Sequence, residues 1–233
     1  MYTITSFNII TEEVNKMTLE KNNFIITYDE NVSYIPEVVD YLESRINDIM
    51  DFFELKSLSS KKKIIVFNDL EKYKEHIEQF FEYHDYMCAD TNDGNINILS
   101  LEAAHKTKMY ADMTLDNLKS VILHEFVHIC QQEKEMEHIN DDIIWFWEGL
   151  ATNLGNPEEY ECVPINASND DINNFNCSAN NYPIAFTIGK YMLEKYNHEE
   201  ILEYIKYPSR ILEDSEKILN DAREWSNQNN KTR

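Results

Sequence analysis

The stretch TLDNLKSVILHEFVHICQQEKE, which begins at Thr114, constrains the fold more than any other part of this chain. Its apolar residues recur at intervals of three and four, the spacing that places side chains along one side of an α-helix. The residues on that side are Leu115, Leu118, Val121, Ile122, Phe126 and Ile129. Thr114 has a side chain suited to a helix N-cap. The stretch therefore predicts a long helix with a buried face, against which other elements must pack.

Two short runs rich in β-branched and aromatic residues precede this helix. They are NFIITYDE at 23–30 and KKKIIVFND at 61–69, and each predicts a strand. A helical pattern follows each of them. One begins at Pro36, which suits the first turn of a helix, and the other begins after the N-cap candidate Asp69 and continues to about Phe81. The first part of the chain is therefore predicted to alternate as β-α-β-α.

A hairpin is predicted directly before the long helix. In CADTNDGNINILS, which begins at Cys88, the pair Asp93-Gly94 separates two short strand-like runs, and this dipeptide is a strong hairpin signal. The second run, near 95–99, is expected to form a strand at the edge of the sheet.

The remainder of the chain is predicted to be mostly helical. Residues 155–181 have the composition of turns throughout and predict a long loop, which is usually functional or mobile. Helices are predicted at about 142–154, 183–196, 198–206 and 212–226.

These elements predict an α+β fold in one domain, residues 23–227. A small mixed β-sheet with helices forms an N-terminal lobe at about 23–135, and a mostly helical C-terminal lobe covers about 136–227. The long helix is expected to lie at a cleft between the lobes. A loosely attached arm, residues 1–22, precedes the domain, and a frayed tail, residues 228–233, follows it.

The chain is strongly anionic, with 43 acidic and 21 basic residues and a net charge of −22. Nucleic acids and anionic membranes repel such a chain, so neither is a predicted partner. No run approaches the roughly 18 apolar residues of a membrane helix, and the start lacks the pattern of a signal peptide. We expect a cytoplasmic protein, unless a leader has been removed. The four scattered cysteines predict reduced thiols, with a Cys162–Cys177 pairing left open.

The long helix contains a candidate metal site. His124 and His128 are four residues apart, so both imidazoles project from one face and can converge on a zinc ion at roughly 2.0–2.1 Å. Glu125 is displaced by about 100° around the helix. That position suits a general base acting on water better than a metal ligand. The alternative is that both histidines are ordinary core or surface residues.

Glu148 is the candidate third ligand. It is the only acid in the apolar stretch from Ile143 to Leu154, and it follows His128 by twenty residues. A turn between antiparallel helices can return it to the histidines, and Gly149 removes a side chain that would otherwise keep two helices apart. A catalytic zinc takes three protein ligands and leaves one position open. The alternative is a solvent-facing acid on an amphipathic helix.

The paired motifs HEFVH and WEGLA resemble those of the gluzincins, the thermolysin-like branch of the zinc metallopeptidases. The resemblance covers roughly residues 24–205. It implies a zincin-like fold, with His124, His128 and Glu148 as ligands of one Zn²⁺ and Glu125 as base and proton shuttle. It also implies that an extended peptide or protein substrate binds along the edge strand near 95–99.

The resemblance leaves two positions open. The thermolysin pattern places an aspartate four residues after the ligand glutamate, where this chain has Thr152; its hydroxyl or Asn153 is expected to orient a metal-binding histidine instead. Relatives also use a downstream tyrosine or histidine to stabilise the oxyanion. Tyr182 is the candidate for this role, and its rivals are His138, Tyr160 and Tyr191.

The sequence therefore predicts a hydrolase, a zinc metallopeptidase in which Glu125 activates a water bound to the metal. Two alternatives remain: a non-catalytic scaffold or interaction protein stabilised by zinc, and a metal-dependent hydrolase of a non-peptide amide. A purely structural site needs no base at position 125 and usually has a fourth protein ligand, which favours the enzyme.

Overall fold

The computed structural model describes residues 16–80, 82–137, 143–158, 160–174 and 181–229. Its strands are β1 (Lys16–Glu20), β2 (Phe24–Asp29), β3 (Lys62–Phe67), β4 (Ala89–Asp90) and β5 (Ile96–Leu99). They form one five-stranded sheet in the order β1-β2-β3-β5-β4. The central strands β2, β3 and β5 are parallel, and β1 and β4 pair antiparallel at the two edges. The predicted mixed sheet is confirmed.

The helices lie between and after these strands. They are α1 (Ile35–Phe52), α2 (Leu70–Ile77), α3 (Leu101–Ala104), α4 (Leu115–Lys134), α5 (Ile144–Gly155), α6 (Asn169–Asn173), α7 (Tyr182–Lys195), α8 (His198–Lys206) and α9 (Ser209–Asn229). The fold is therefore α+β, as predicted. None of the helices in the described ranges has the combination of length and apolar character needed to cross a membrane.

Helix α4 is the predicted long helix, and it begins after the predicted N-cap Thr114. The Thr114 hydroxyl accepts a hydrogen bond from the Asn117 backbone N–H, and the Asn117 side chain accepts one from the Thr114 N–H. This reciprocal arrangement satisfies amide groups that have no partner inside the helix. Phe126 on the buried face meets Phe24 of β2 edge to face, with ring centroids 5.6 Å apart. Helix α4 is thus packed directly on the sheet.

An ion pair holds the C-terminal part of α4 against the same sheet. Lys62 of β3 lies 2.6 Å from Glu133, and both side chains are largely buried. Glu133 also accepts hydrogen bonds from the backbone N–H and the hydroxyl of Ser59. Buried carboxylates need such partners, and these contacts fix the direction in which α4 leaves the sheet.

Four predicted boundaries are wrong. The arm was expected to include residues 16–20, but these form β1, whose mostly exposed side chains leave no apolar pattern to detect. Helix α2 ends at Ile77 rather than near residue 81, because residues 78–80 are exposed and have no face to bury. Helix α6 interrupts the predicted loop, and α9 continues through residues 228 and 229 of the predicted tail. The other domain limits stay predictions, and Cys177, required for the open pairing, lies outside the described residues.

The predicted hairpin is confirmed, but its second strand is not at the edge of the sheet. Gly94 has a φ of 73°, and its N–H bonds to the Thr91 carbonyl, closing the turn between β4 and β5. Strand β5 pairs with β3 on one side and β4 on the other, because its four buried residues fill an interior position. The edge strand is β4, so the predicted edge at 95–99 is wrong.

Helices α5 and α7 pack so closely that their backbones are in contact. A Cβ on Gly149 would lie 2.6 Å from the Ala185 carbonyl oxygen, and one on Gly189 would overlap the Gly149 carbonyl. Asn153 donates hydrogen bonds to the carbonyls of Gly149 and Phe186, at 2.7 and 2.9 Å. Gly149 thus permits a close helix contact, as predicted, and the partner is α7.

Candidate metal centre

A cleft with a volume of about 610 Å³ runs along α4. Helix α4 lines it together with α5, the β4–β5 hairpin and Tyr182, the first residue of α7. His124, Glu125, His128 and Glu148 all contribute to its wall. The structure therefore brings every predicted metal ligand, the predicted base and Tyr182 to one cavity.

The three predicted metal ligands converge. The Nε2 atoms of His124 and His128 are 3.0 Å apart. One carboxylate oxygen of Glu148 lies 3.1 Å from His124 Nε2, and the other lies 3.6 Å from His128 Nε2. Ligand atoms of all three side chains lie within 4.8 Å of one another. This group can hold a metal ion.

Two local features bring Glu148 to the histidines. His124 and His128 are one helical turn apart on α4, and α5 places the Glu148 carboxylate beside both. Gly155, the last residue of α5, contacts α4, and a Cβ added there would lie 2.8 Å from the Cα and N atoms of His124. The absence of a side chain at this position therefore sets the spacing of the two helices beside one ligand.

The charges of the centre are strongly coupled. Burial by itself would raise the pKa of Glu148, but the charge of His128 and hydrogen bonds with both histidines lower it well below its usual value. Burial would lower the pKa of His128, but Glu148 raises it to about 9. Both shifts favour an ionised Glu148 beside a protonated His128. A cation entering the centre meets an ionised carboxylate and displaces a proton.

Gln131 orients His128. Its Oε1 lies 2.7 Å from His128 Nδ1, and its Nε2 donates to the Trp147 carbonyl at 3.0 Å. The side chain is 4% exposed. Metal-binding histidines usually have such a partner on the second nitrogen, which sets the ring orientation. Gln131 follows His128 by three residues on the same helix face, and this spacing was the signal available in the sequence.

Thr152 and Asn153 do not take the expected role. The Thr152 hydroxyl donates to the Glu148 carbonyl at 2.7 Å, within its own helix, and Asn153 bonds to Gly149 and Phe186. Both side chains are buried on the α5 side of the centre. The prediction that one of them orients a metal-binding histidine is wrong, because both side chains donate their hydrogen bonds to backbone carbonyls.

Glu125 is buried in the cleft wall, 8% exposed, beside the two histidines. Burial raises the pKa of its carboxyl group, and the charges of His128 and His124 oppose that rise. A carboxylate with little hydration and a raised pKa is a better proton acceptor than one in water. This is the environment expected of a general base.

Tyr182 borders the centre through its ring. The centroid of its ring lies 6.3 Å from that of His124, and the ring of Tyr160 stacks on it with the two ring planes 9° apart. Tyr160 does not contribute to the cleft wall. Tyr191, 7% exposed, packs against Tyr196 and Trp225 instead. Among the described candidates, Tyr182 is thus the one that lines the cleft; His138 lies outside the described residues.

No protein-family model matches this chain, and neither does any curated protein. The geometry of the centre provides a candidate cation site built from two imidazoles and a carboxylate, with a second buried carboxyl group beside it.

Proposed function

We propose that this protein is a zinc metallopeptidase that hydrolyses peptide bonds with Glu125 as general base. The observation that supports this most is the convergence of His124, His128 and Glu148 in an open cleft, with buried Glu125 next to them. A structural zinc site is usually closed by a fourth protein ligand, whereas a catalytic site keeps one position open. Among the residues that the structure describes, three ligands converge beside an open cleft, which supports the second arrangement.

Zinc fits the donor set. Two imidazole nitrogens and a carboxylate are ligands of many catalytic zinc sites. Ligands held at roughly 2.0–2.1 Å around a tetrahedral ion are about 3.3 Å apart. The separations here, 3.0, 3.1 and 3.6 Å, bracket that value. The three side chains therefore need only small adjustments to accept the ion.

The residues of the cleft divide the reaction between them. Zinc, when present, supplies a Lewis acid that polarises the peptide carbonyl and acidifies water. The Glu125 carboxylate takes a proton from the attacking water and delivers it to the amide nitrogen that leaves, so that one water and one peptide bond become a carboxylic acid and an amine. Gln131 keeps His128 oriented, and the Tyr182 hydroxyl is proposed to donate to the carbonyl oxygen as it gains negative charge.

The resemblance of HEFVH and WEGLA to gluzincin motifs supports the same proposal. A zincin-like arrangement, with the helix carrying HEFVH packed on a mixed sheet, is consistent with α4 and its neighbours. The strand that borders the cleft is β4, with Ala89 and Asp90 in the wall. We therefore place an extended substrate along 89–92 rather than along 95–99.

Elemental analysis and one substitution test the proposal. The purified protein, reconstituted with zinc, is expected to contain about one zinc per chain and to cleave members of a peptide library. Glu125→Gln keeps the shape of the side chain but removes the base. It is expected to retain zinc and to lose activity by about 10²–10⁴-fold.

The exposed residue Glu194 on α7 provides a matched control. Glu194→Gln makes the same chemical change away from the cleft and is expected to retain full activity. Undiminished cleavage by Glu125→Gln would remove Glu125 as the base. Zinc retained without cleavage of any peptide would favour the scaffold or the hydrolase of a non-peptide amide, and no zinc after reconstitution would end the proposal.

A further inference from the structure

The cleft wall is negatively charged beyond what the metal centre requires. Besides Glu125 and Glu148, it includes Asp90 from the hairpin and Glu135 at the end of α4. Among the residues that the structure describes, no lysine or arginine lines this cleft. Four carboxyl groups thus line the cleft, one of them, that of Asp90, at 3.3 Å from His76 Nε2, and the whole chain has a net charge of −22. A cleft of one sign concentrates ligands of the opposite sign.

Glu135 lies where a substrate side chain can reach it. It lines the cleft, and its Cα is seven residues beyond that of His128, a rise of about 10 Å along the axis of α4 at 1.5 Å per residue. An extended peptide covers that distance in about three residues. The carbonyl groups at the C-terminus of a helix carry partial negative charge, which adds to the attraction of Glu135 for a cation.

The apolar residues of the cleft wall suit the stem of a long basic side chain. Ile144 and Trp147 of α5 line the cleft, and so do Tyr86 and Met87, which precede β4. Lysine and arginine cover apolar surface with their methylene groups while the charged end contacts an acid, and an aromatic ring also attracts a cation. The Gln132 side chain donates hydrogen bonds to the carbonyl and the hydroxyl of Thr91, both at 3.4 Å, and so links α4 to the hairpin.

We propose that the cleft selects cationic peptides, with a lysine or arginine within about three residues of the scissile bond and Glu135 as the specificity-determining carboxylate. This inference rests on the peptidase function proposed above for its chemistry. The charge preference itself is a property of binding and can be measured without hydrolysis. Glu135 has no role in the proposed metal centre, and this inference gives it one.

Binding is measured by fluorescence anisotropy with zinc-loaded Glu125→Gln protein, in which cleavage is suppressed. The probes are three short labelled peptides with a central phenylalanine. They differ only in the residues on either side of it, which are lysine in one peptide, norleucine in the second and glutamate in the third. Lysine is expected to bind about tenfold more tightly than norleucine, and glutamate more weakly still. The difference should shrink as salt is raised, because charges near solvent are screened. Equal or tighter binding of the norleucine peptide would overturn the preference.

Charge reversal tests the assignment to Glu135. On the same background, Glu135→Gln is expected to reduce the lysine-to-norleucine ratio to about threefold or less, and Glu135→Lys should make the glutamate peptide the tighter ligand. Glu194→Gln changes the net charge equally on an exposed part of α7 and is expected to leave the ratio unchanged. An unaltered ratio in both Glu135 variants would refute the role of this residue.

Cleavage assays with the zinc-loaded parent separate the two proposals. Lysine preference in binding without cleavage of any peptide would contradict the peptidase and leave the cationic ligand class in place. Cleavage with no preference among the three peptides would contradict the inference and leave the peptidase in place. Preference in both assays would support both.

Discussion

The two faces of helix α5 are built in opposite ways. Toward α7 it presents Gly149 at backbone distance from Ala185 and Gly189, with almost no room for a side chain. Toward α4 it presents the Glu148 carboxylate and receives a hydrogen bond from Gln131 at the Trp147 carbonyl. Adjacent residues 148 and 149 thus perform different tasks: one contributes a buried charge, and the other allows the helix that carries it to be held rigidly.

This difference shows how a buried polar centre can be kept in position. Charges buried without fixed partners are costly, and a ligand displaced by a fraction of an ångström binds a metal poorly. The chain contains four glycines, and three of them, Gly149, Gly155 and Gly189, lie where α5 meets α4 or α7. Close backbone packing on both sides of α5 leaves the Glu148 carboxylate little freedom to move.

The largest expected effect, on metal affinity, comes from removing the Glu148 carboxylate. Glu148→Ala takes away a ligand and the negative charge that draws a cation into the centre, so metal affinity should fall by more than the roughly 10–100-fold typical of losing a supporting partner. Competition with a chromophoric chelator measures this, with Glu194→Ala as control. Zinc bound with parental affinity by Glu148→Ala would mean that α5 contributes no ligand.

A substitution on the side of α5 that packs against α7 should lower the stability of the fold more than the metal affinity. In Gly149→Ala the new Cβ meets a backbone oxygen that cannot move alone, so we expect the free energy of unfolding to fall by about 2 kcal/mol. Urea denaturation of the metal-free protein measures this change. A fall below about 0.5 kcal/mol would show that α5 and α7 separate easily.

Gly155→Ala is the matched substitution on the α4 side of the same helix. Its Cβ would press on the backbone of His124, so we expect metal affinity to fall by about tenfold as that ligand shifts. Chelator competition for both glycine variants makes the comparison direct. If Gly149→Ala impaired metal binding more than Gly155→Ala, the division of roles between the faces would be wrong.

Gln131 connects the two helices across the polar face, and its loss should have a moderate effect. Gln131→Ala leaves His128 Nδ1 and the Trp147 carbonyl without their partner, so metal affinity is expected to fall by about tenfold. Gln79→Ala, on an exposed residue outside the cleft, is the control and should keep the parental affinity. Unchanged affinity in Gln131→Ala would show that the His128 ring is oriented by packing alone.

Thr152→Val should have the smallest effect. The hydroxyl bonds to carbonyls within α5 and not to a histidine, so its loss is expected to cost about 1 kcal/mol of unfolding free energy or less, with metal affinity unchanged. Both quantities come from the assays above. A tenfold loss of metal affinity would restore the role that the thermolysin pattern assigns to this position.

Local signals in the sequence predicted much of the centre. The N-cap at Thr114 and the helical spacing around His124 and His128 are decided within one helix, so a single segment contains the information. Glu148 was accessible because an acid in an otherwise apolar stretch needs a buried partner. The role of zinc and of Glu125 in catalysis stays a prediction.

Features that depend on distant parts of the chain were harder to predict. The exposed strand β1 has no apolar alternation, and the order of β4 and β5 in the sheet depends on which strand β3 pairs with. The contact of Gly155 with His124 joins residues more than thirty positions apart. Gln131 could have been found from its spacing, but its second bond, to the Trp147 carbonyl, required the position of α5.

The backbone contacts of α5 limit how this protein can vary in evolution. A substitution at His124, His128 or Glu148 removes part of the candidate metal centre, and a side chain added at any of the three contact glycines separates helices that are in contact. Homologous chains that retain the centre are therefore expected to follow the pattern H-E-x₂-H-x₁₉-E-G-x₅-G, with a further glycine 34 positions later at the equivalent of Gly189. Insertions should accumulate between these landmarks in loops, while the small residues persist alongside the ligands they support.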